Sequence, residues 1–194
     1  MLSSNTSLRL GLVFLIPFLG ICACNKNHAA PSEQEYSAIN TSLAYFVNPS
    51  WEKANAGSPV PVQCYVETNF LPLSRELADV VRYHLQQLAA PRAPLAALSD
   101  LLLKEPSGES PNQLKPPGSC AAISGSYAPT VGNYLLLQSS RVGFDPDEEY
   151  GIVILHTWVQ HNPGFGSGAE SMLVLRRDGS SWRVTADRQI VAEN

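Results

Sequence analysis

Apolar positions in the first third of the chain recur at helical spacing. Tyr36, Ile39, Leu43 and Val47 follow one another three or four residues apart, the repeat of one helical face. Ser32 with Glu35 three residues on fits a capping box, in which the serine oxygen accepts a backbone N–H and the carboxylate reaches back to the cap. The pattern predicts a helix over 33–46. The next segment alternates instead. Val60, Val62, Cys64 and Val66 fall on one side and Pro61, Gln63 and Tyr65 on the other, which predicts a strand. Pro61 has no N–H for a ladder, so it assigns this strand to a sheet edge or marks the strand's own beginning. From Ser74 the helical repeat returns, with Leu77, Val80, Val81, His84, Leu85 and Leu88 on one face, and it stops before Pro91. A further helix is predicted over "PLAALSDLLLK", with Pro94 in its first turn and Pro106 beyond its end.

Residues 106–119, "PSGESPNQLKPPGS", carry four prolines and two glycines and read as an irregular surface loop. From Tyr134 onward the pattern is extended. "YLLLQSSRVGF", "EYGIVILHTWVQ", "AESMLVLRR" and "SWRVTADRQIV" are separated by the turn signals "DPDE", "NPGFGSG" and "DGS". Connections this short make neighbours antiparallel, giving a meander of about four strands. The run from Tyr150 to Val159 is apolar at both parities, with Ile152, Ile154 and Trp158 on one face and Val153, Leu155 and Val159 on the other. Such a strand belongs at the centre of the sheet, covered on both sides. The expected fold is α+β, a single domain over 33–194, with N-terminal helices packed on one face of a C-terminal antiparallel meander sheet.

The N-terminus changes the picture. Arg9 precedes the apolar run "LGLVFLIPFLGICA", Leu10 to Ala23, which is shorter than the roughly 20 residues a membrane span needs and fits the apolar core of an export signal. "ICAC" resembles a bacterial lipobox ending at Cys24, with Ala23 before the cysteine and Ile21 at the apolar position. Cleavage near Ala30 in "HAA" is the alternative. A lipidated Cys24 anchors the chain to a membrane through several acyl chains, and Asn25 after it resembles the sorting signal for the outer membrane of a two-membrane bacterium. Residues 25–32 then form a polar tether. Without lipid the chain is a soluble secreted or periplasmic protein.

Processing at Cys24 removes Arg9 from the 13 Lys and Arg and leaves 12 against 17 Asp and Glu. There is no basic block, so nucleic acid is not an expected partner. It also leaves Cys64 and Cys120, an even pair in an oxidising compartment: a disulfide, or else two buried thiols. Their separation excludes C-x-x-C redox chemistry and a four-cysteine zinc site.

The stretch "HNPGFGSGAE", His161 to Glu170, gathers a histidine, glycines, a serine and a carboxylate in ten residues. It lacks the spacing of a phosphate cradle and the helix that must follow one, and Ser167 is not flanked as in Gly-x-Ser-x-Gly. A wide hairpin explains it. His156 shares a face with Ile154 and Trp158, as a half-buried core histidine or as a ligand contact. "DPDEE", Asp145 to Glu149, lacks the glycine and distal glutamate of a calcium loop and reads as a solvated turn. Trp158 and Trp182 pair across strands or line a groove. No cofactor, metal or catalytic residue is implied.

"LQSSRVGFDPDEEYGIVILHTWVQHNPGFGSGAESMLVLRRDGSSWRVTADR" resembles the C-terminal half of a widespread family of exported bacterial proteins. Its members share a Ser-x-Val-Gly-Phe-Asp/Asn turn, here Ser140 to Asp145, a Gly-x-Gly hairpin, here Gly166 to Gly168, and a Gly-x-Trp-x-Val ending, here within Arg177 to Val184. This chain departs by placing Ser180 and Ser181 between Gly179 and Trp182. The resemblance brings no activity with it. The function expected is a non-enzymatic module of the cell envelope that binds a protein or another envelope component, with His156 and Trp158 as its ligand contacts. A hydrolase with a dispersed site built on His156, its acid supplied by a helix, is the alternative, as is a small-molecule pocket walled by Trp158.

Overall fold

The computed structural model describes residues 30–57, 62–88, 92–104, 113–124, 132–160 and 165–193. The segments expected as export signal and tether up to residue 29, with Cys24, the first part of the expected proline-rich loop and residues 161–164 of the expected hairpin lie outside them.

Helix α1, Glu33–Phe46, starts where the serine predicts. Ser32 caps it by accepting the Glu35 N–H at 3.1 Å. The second half of the capping box does not form, because the Glu35 carboxylate turns to Arg141 instead. Helix α2, Pro49–Ala56, follows and was not foreseen. Strand β1 is Gln63–Glu67; helix α3, Arg75–Gln86, is capped by Ser74, and helix α4 is Arg92–Leu101. Strands β2 (Ala121–Ile123), β3 (Tyr134–Ser139), β4 (Gly143–Phe144), β5 (Tyr150–Gln160), β6 (Gly166–Asp178) and β7 (Ser181–Glu193) complete the chain.

The sheet runs β2-β1-β3-β5-β6-β7, with β4 also paired to β5. From β3 onward it is the antiparallel meander the turn signals predict. β1 is parallel to both its neighbours, so it is interior, and the edge position suggested by Pro61 goes to the three-residue β2. A parallel neighbour requires a crossover. Here the segment carrying α3 and α4 supplies it.

That crossover also decides where the helices lie. The class is α+β as expected, but the helices divide between the two faces. α1 covers the face of Cys64, Val66, Leu135, Leu137, Val153, Leu155, Leu173 and Leu175. α3 and α4 cover Ile152, Ile154, Met172 and Val174 on the other. The physical reason is β5 itself, whose residues 151–155 are all buried: a strand apolar at both parities needs two covers. Ile39 and Leu43 are fully buried in the core between α1 and the sheet, each stabilising the fold by about 1.5–3 kcal/mol.

Cys64 and Cys120 form a disulfide that joins β1 to the residue before β2. By the chain-entropy account, a closed loop of 56 residues stabilises the fold by about 4 kcal/mol. The end of the proline-rich loop is not wholly at the surface. Leu114 is buried in the α1 core, and the Asn40 amide fixes its neighbours by donating to the Gln113 carbonyl at 3.4 Å and accepting the Lys115 N–H at 2.8 Å.

Candidate functional site

The segment Ser140 to Asp145 is a closed structural joint. Ser140 replaces a ladder partner of β5, exchanging its N–H with the Ile154 carbonyl at 2.8 Å and accepting the Ile154 N–H on its hydroxyl at 2.9 Å. Arg141 is buried and bidentate on Glu35, at 2.6 and 2.9 Å, the strong form of a charge-assisted pair. The same carboxylate accepts the Val142 N–H at 2.9 Å. Lys104 lies 3.9 Å from Glu35 and 3.0 Å from Asp100, and donates to the Val142 carbonyl. A Cβ on Gly143 would stand 2.0 Å from the Ala97 carbonyl oxygen, so only glycine lets β4 approach α4. Phe144 stacks on Trp182 with ring centroids 5.2 Å apart, which joins the two ends of the sequence pattern noted above. Asp145 closes its turn by accepting the Tyr150 N–H at 2.8 Å. Among the described residues no buried side-chain polar atom of this joint is without a partner.

A second polar group forms on the opposite face of the sheet, where β5 runs past the helices. The registers place Glu67, Gln138, His156 and Glu170 side by side across β1, β3, β5 and β6. The next row is Tyr65, Leu136, Trp158 and Gly168, so polar groups lie beside an aromatic shelf. His156 Nδ1 is 4.0 Å from Glu170 Oε1, and the two side chains keep 18% and 15% of their exposure. That distance is beyond a hydrogen bond. Gln138 donates to the Asn69 carbonyl at 3.0 Å, and Glu67 accepts the Asn69 N–H at 3.0 Å. Trp158 packs against Gly166, where a Cβ would come within 2.4 Å of its ring, and its indole N–H donates to Gln160 at 3.1 Å.

His156 and Trp158 therefore share a face and occupy adjacent rows, as alternation requires. Trp158 and Trp182 do not pair, because Trp182 belongs to the α1 face. The carboxylate beside His156 comes from a neighbouring strand and not from a helix. Among the described residues of these rows no serine, threonine or cysteine accompanies His156, and no group of three or more His, Cys, Asp or Glu able to hold a metal occurs among the described residues. Glu67, Gln138 and Glu170 were missed in the sequence. Their signal was present in the parity: each interrupts a strand at the position its apolar neighbours leave for that face.

Three clefts of about 500, 640 and 630 Å³ lie at the β6–β7 end of the sheet, along α1, and beside the Glu35–Arg141 pair. None of the three is walled by Trp158. Comparison with protein-family models, curated proteins and solved structures finds no match to this chain.

Proposed function

We propose that this chain is a non-enzymatic binding module of the cell envelope, anchored through a lipid on Cys24, and that it takes an envelope component on the sheet face around His156 and Trp158. The reading rests on one observation. Along a single face β5 changes from Ile152 and Ile154, fully buried beneath α3 and α4, to partly exposed His156, Trp158 and Gln160. A polar row next to an aromatic shelf offers hydrogen bonds and flat apolar area together, the composition of a recognition surface. The acidic balance of the chain favours a neutral or cationic partner over nucleic acid. The family resemblance of the C-terminal half fits export, with secretion into the periplasm without a lipid as the alternative location.

The test compares wild-type protein with the His156→Ala, Trp158→Leu double variant for retention of solubilised envelope material from a bacterial host. The expected result is a species held by the wild type and lost by a variant with unchanged Tm. Equal retention by both, or none by either, removes the sheet face from consideration.

A second reading is supported by the juxtaposition of His156 and Glu170. An imidazole beside a carboxylate is the arrangement of a general base, and a water would be its nucleophile. A hydrolytic activity that survives His156→Ala would end that reading.

A further inference from the structure

The cleft of about 500 Å³ at the far end of the sheet combines two features that nothing above uses. Its floor is apolar: Val174 is buried, and Ala186, Leu88 and Tyr150 surround it. Its rim is cationic. Arg176 on β6 and Arg188 on β7, opposite Met172, line it from one face of the ribbon, and Arg183, directly opposite Arg176, lies on that face outside the lining. Like charges directly opposite each other in an antiparallel pair are destabilising. Among the described residues none of these three arginines has a carboxylate within 4.0 Å. Arg176 rests above the Tyr150 ring at 5.8 Å, which aims it over the floor. A bulge leaves Thr185 unpaired between Ala186 and Val184, with its hydroxyl on the Val174 carbonyl at 3.1 Å. Such a bulge bends β7 and strengthens its twist between Arg183 and Arg188. One carboxylate, Asp187, borders the cleft; it is opposite Leu173 and so belongs to the α1 face, where Tyr45 bonds to it, and it feels the charge of Arg188 without an ion-pair contact.

We propose that this cleft binds an anionic amphiphile, with a phosphate or carboxylate head between Arg176 and Arg188, Arg183 adding positive charge from beside the cleft, and an apolar tail against Val174, Ala186 and Leu88. The bound head offsets the repulsion between Arg176 and Arg183, which face each other across the ribbon. Guanidinium groups suit such a head because their donors match its oxygens in pairs. The cleft volume is within the usual range for small-ligand sites. The chemistry is shared by two sources, a free amphiphile and the acidic lipid of a bilayer, and separate arms of the test tell them apart.

The experiment titrates octyl phosphate, below its micelle concentration, into protein purified from a bacterial host expressing the full chain. Inorganic phosphate and octanol are the single-feature controls. Octyl phosphate is expected to bind and to raise Tm, with each control weaker by roughly tenfold or more, since head and tail each contribute at least one such factor. Arg176→Ser with Arg188→Ser should lower affinity by a similar factor. It should leave the ligand-free Tm unchanged or higher, because repulsion is relieved. Ala186→Trp, which fills the floor, should abolish binding while keeping every arginine. Raised salt should weaken the wild type and not the arginine variant. Absence of binding, equal binding by the double arginine variant, or inorganic phosphate binding as tightly as octyl phosphate overturns the proposal. Retention on vesicles containing phosphatidylglycerol but not on phosphatidylcholine alone, lost in the arginine variant, assigns a bilayer lipid. Octyl phosphate binding without that vesicle preference assigns a free amphiphile.

Discussion

The two polar clusters of this protein, one around Glu35 and Arg141 and one around His156 and Glu170, differ in closure. In the first, the charged groups are almost fully buried and their contacts are 2.6 to 2.9 Å long. In the second, the facing imidazole and carboxylate stand 4.0 Å apart and remain partly exposed. Burying a charge is costly unless its partner and hydrogen bonds are in place, so a tight buried cluster fixes two elements against each other and has no capacity left for a ligand. A loose, partly exposed cluster imposes little on the fold and can still accept one. Among charged side chains, slack is a better sign of a binding surface than density.

The contrast can be broken first at its tight end. Arg141→Ala leaves Glu35 buried without its partner and is expected to cost about 3–5 kcal/mol, read as a lowered denaturant midpoint. Gly143→Ala attacks the same joint through the backbone, where the new methyl meets Ala97 and Leu101 on α4. The loss should be about 1–3 kcal/mol, as for other overpacked sites. His156→Ala tests the slack end and should cost less than about 1 kcal/mol, because the pair it breaks is loose; a loss as large as that of Arg141→Ala would show that the second cluster is structural too. Asp187 sharpens the comparison from outside both. Burial holds its carboxyl above the usual range, against the pull of Tyr45 and Arg188. A raised folded pKa gives stability that is present below the unfolded value of about 3.9 and is lost as pH rises through the folded one. At neutral pH Asp187→Asn should therefore be neutral to slightly stabilising, within about 0.5 kcal/mol, with the gain absent at pH 3 in parallel denaturation series.

Local pattern carried much of this architecture. Ser32 and Ser74 cap the helices their spacing predicts, and the turn signals after Tyr134 yield the antiparallel order of β3, β5, β6 and β7. These depend on neighbours within a few residues. What escaped depends on pairing between distant segments. The parallel placement of β1 between β2 and β3 follows from register, and no periodicity within β1 encodes it. The same is true of the division of helices between the two faces, although the double parity of β5 already demanded two covers. Glu35 illustrates the limit at one residue. Its position fits a cap, yet the carboxylate has stronger donors in Arg141 and Val142, more than 100 residues away. The row from Glu67 to Glu170 spans four strands and is assembled by register alone.

The Cys64–Cys120 bridge has a mechanical consequence. The chain between the two cysteines, which carries α3 and α4, is a covalent ring closed beside the sheet. If the protein is tethered by its N-terminus and pulled from the other end, tension passes from Cys64 to Cys120 through the sulfur atoms and bypasses the ring. The 56-residue separation then withholds roughly 200 Å of extensible length, at about 3.6 Å per residue. A tethered molecule with that ring intact stays short under load, and its crossover helices carry none of the force.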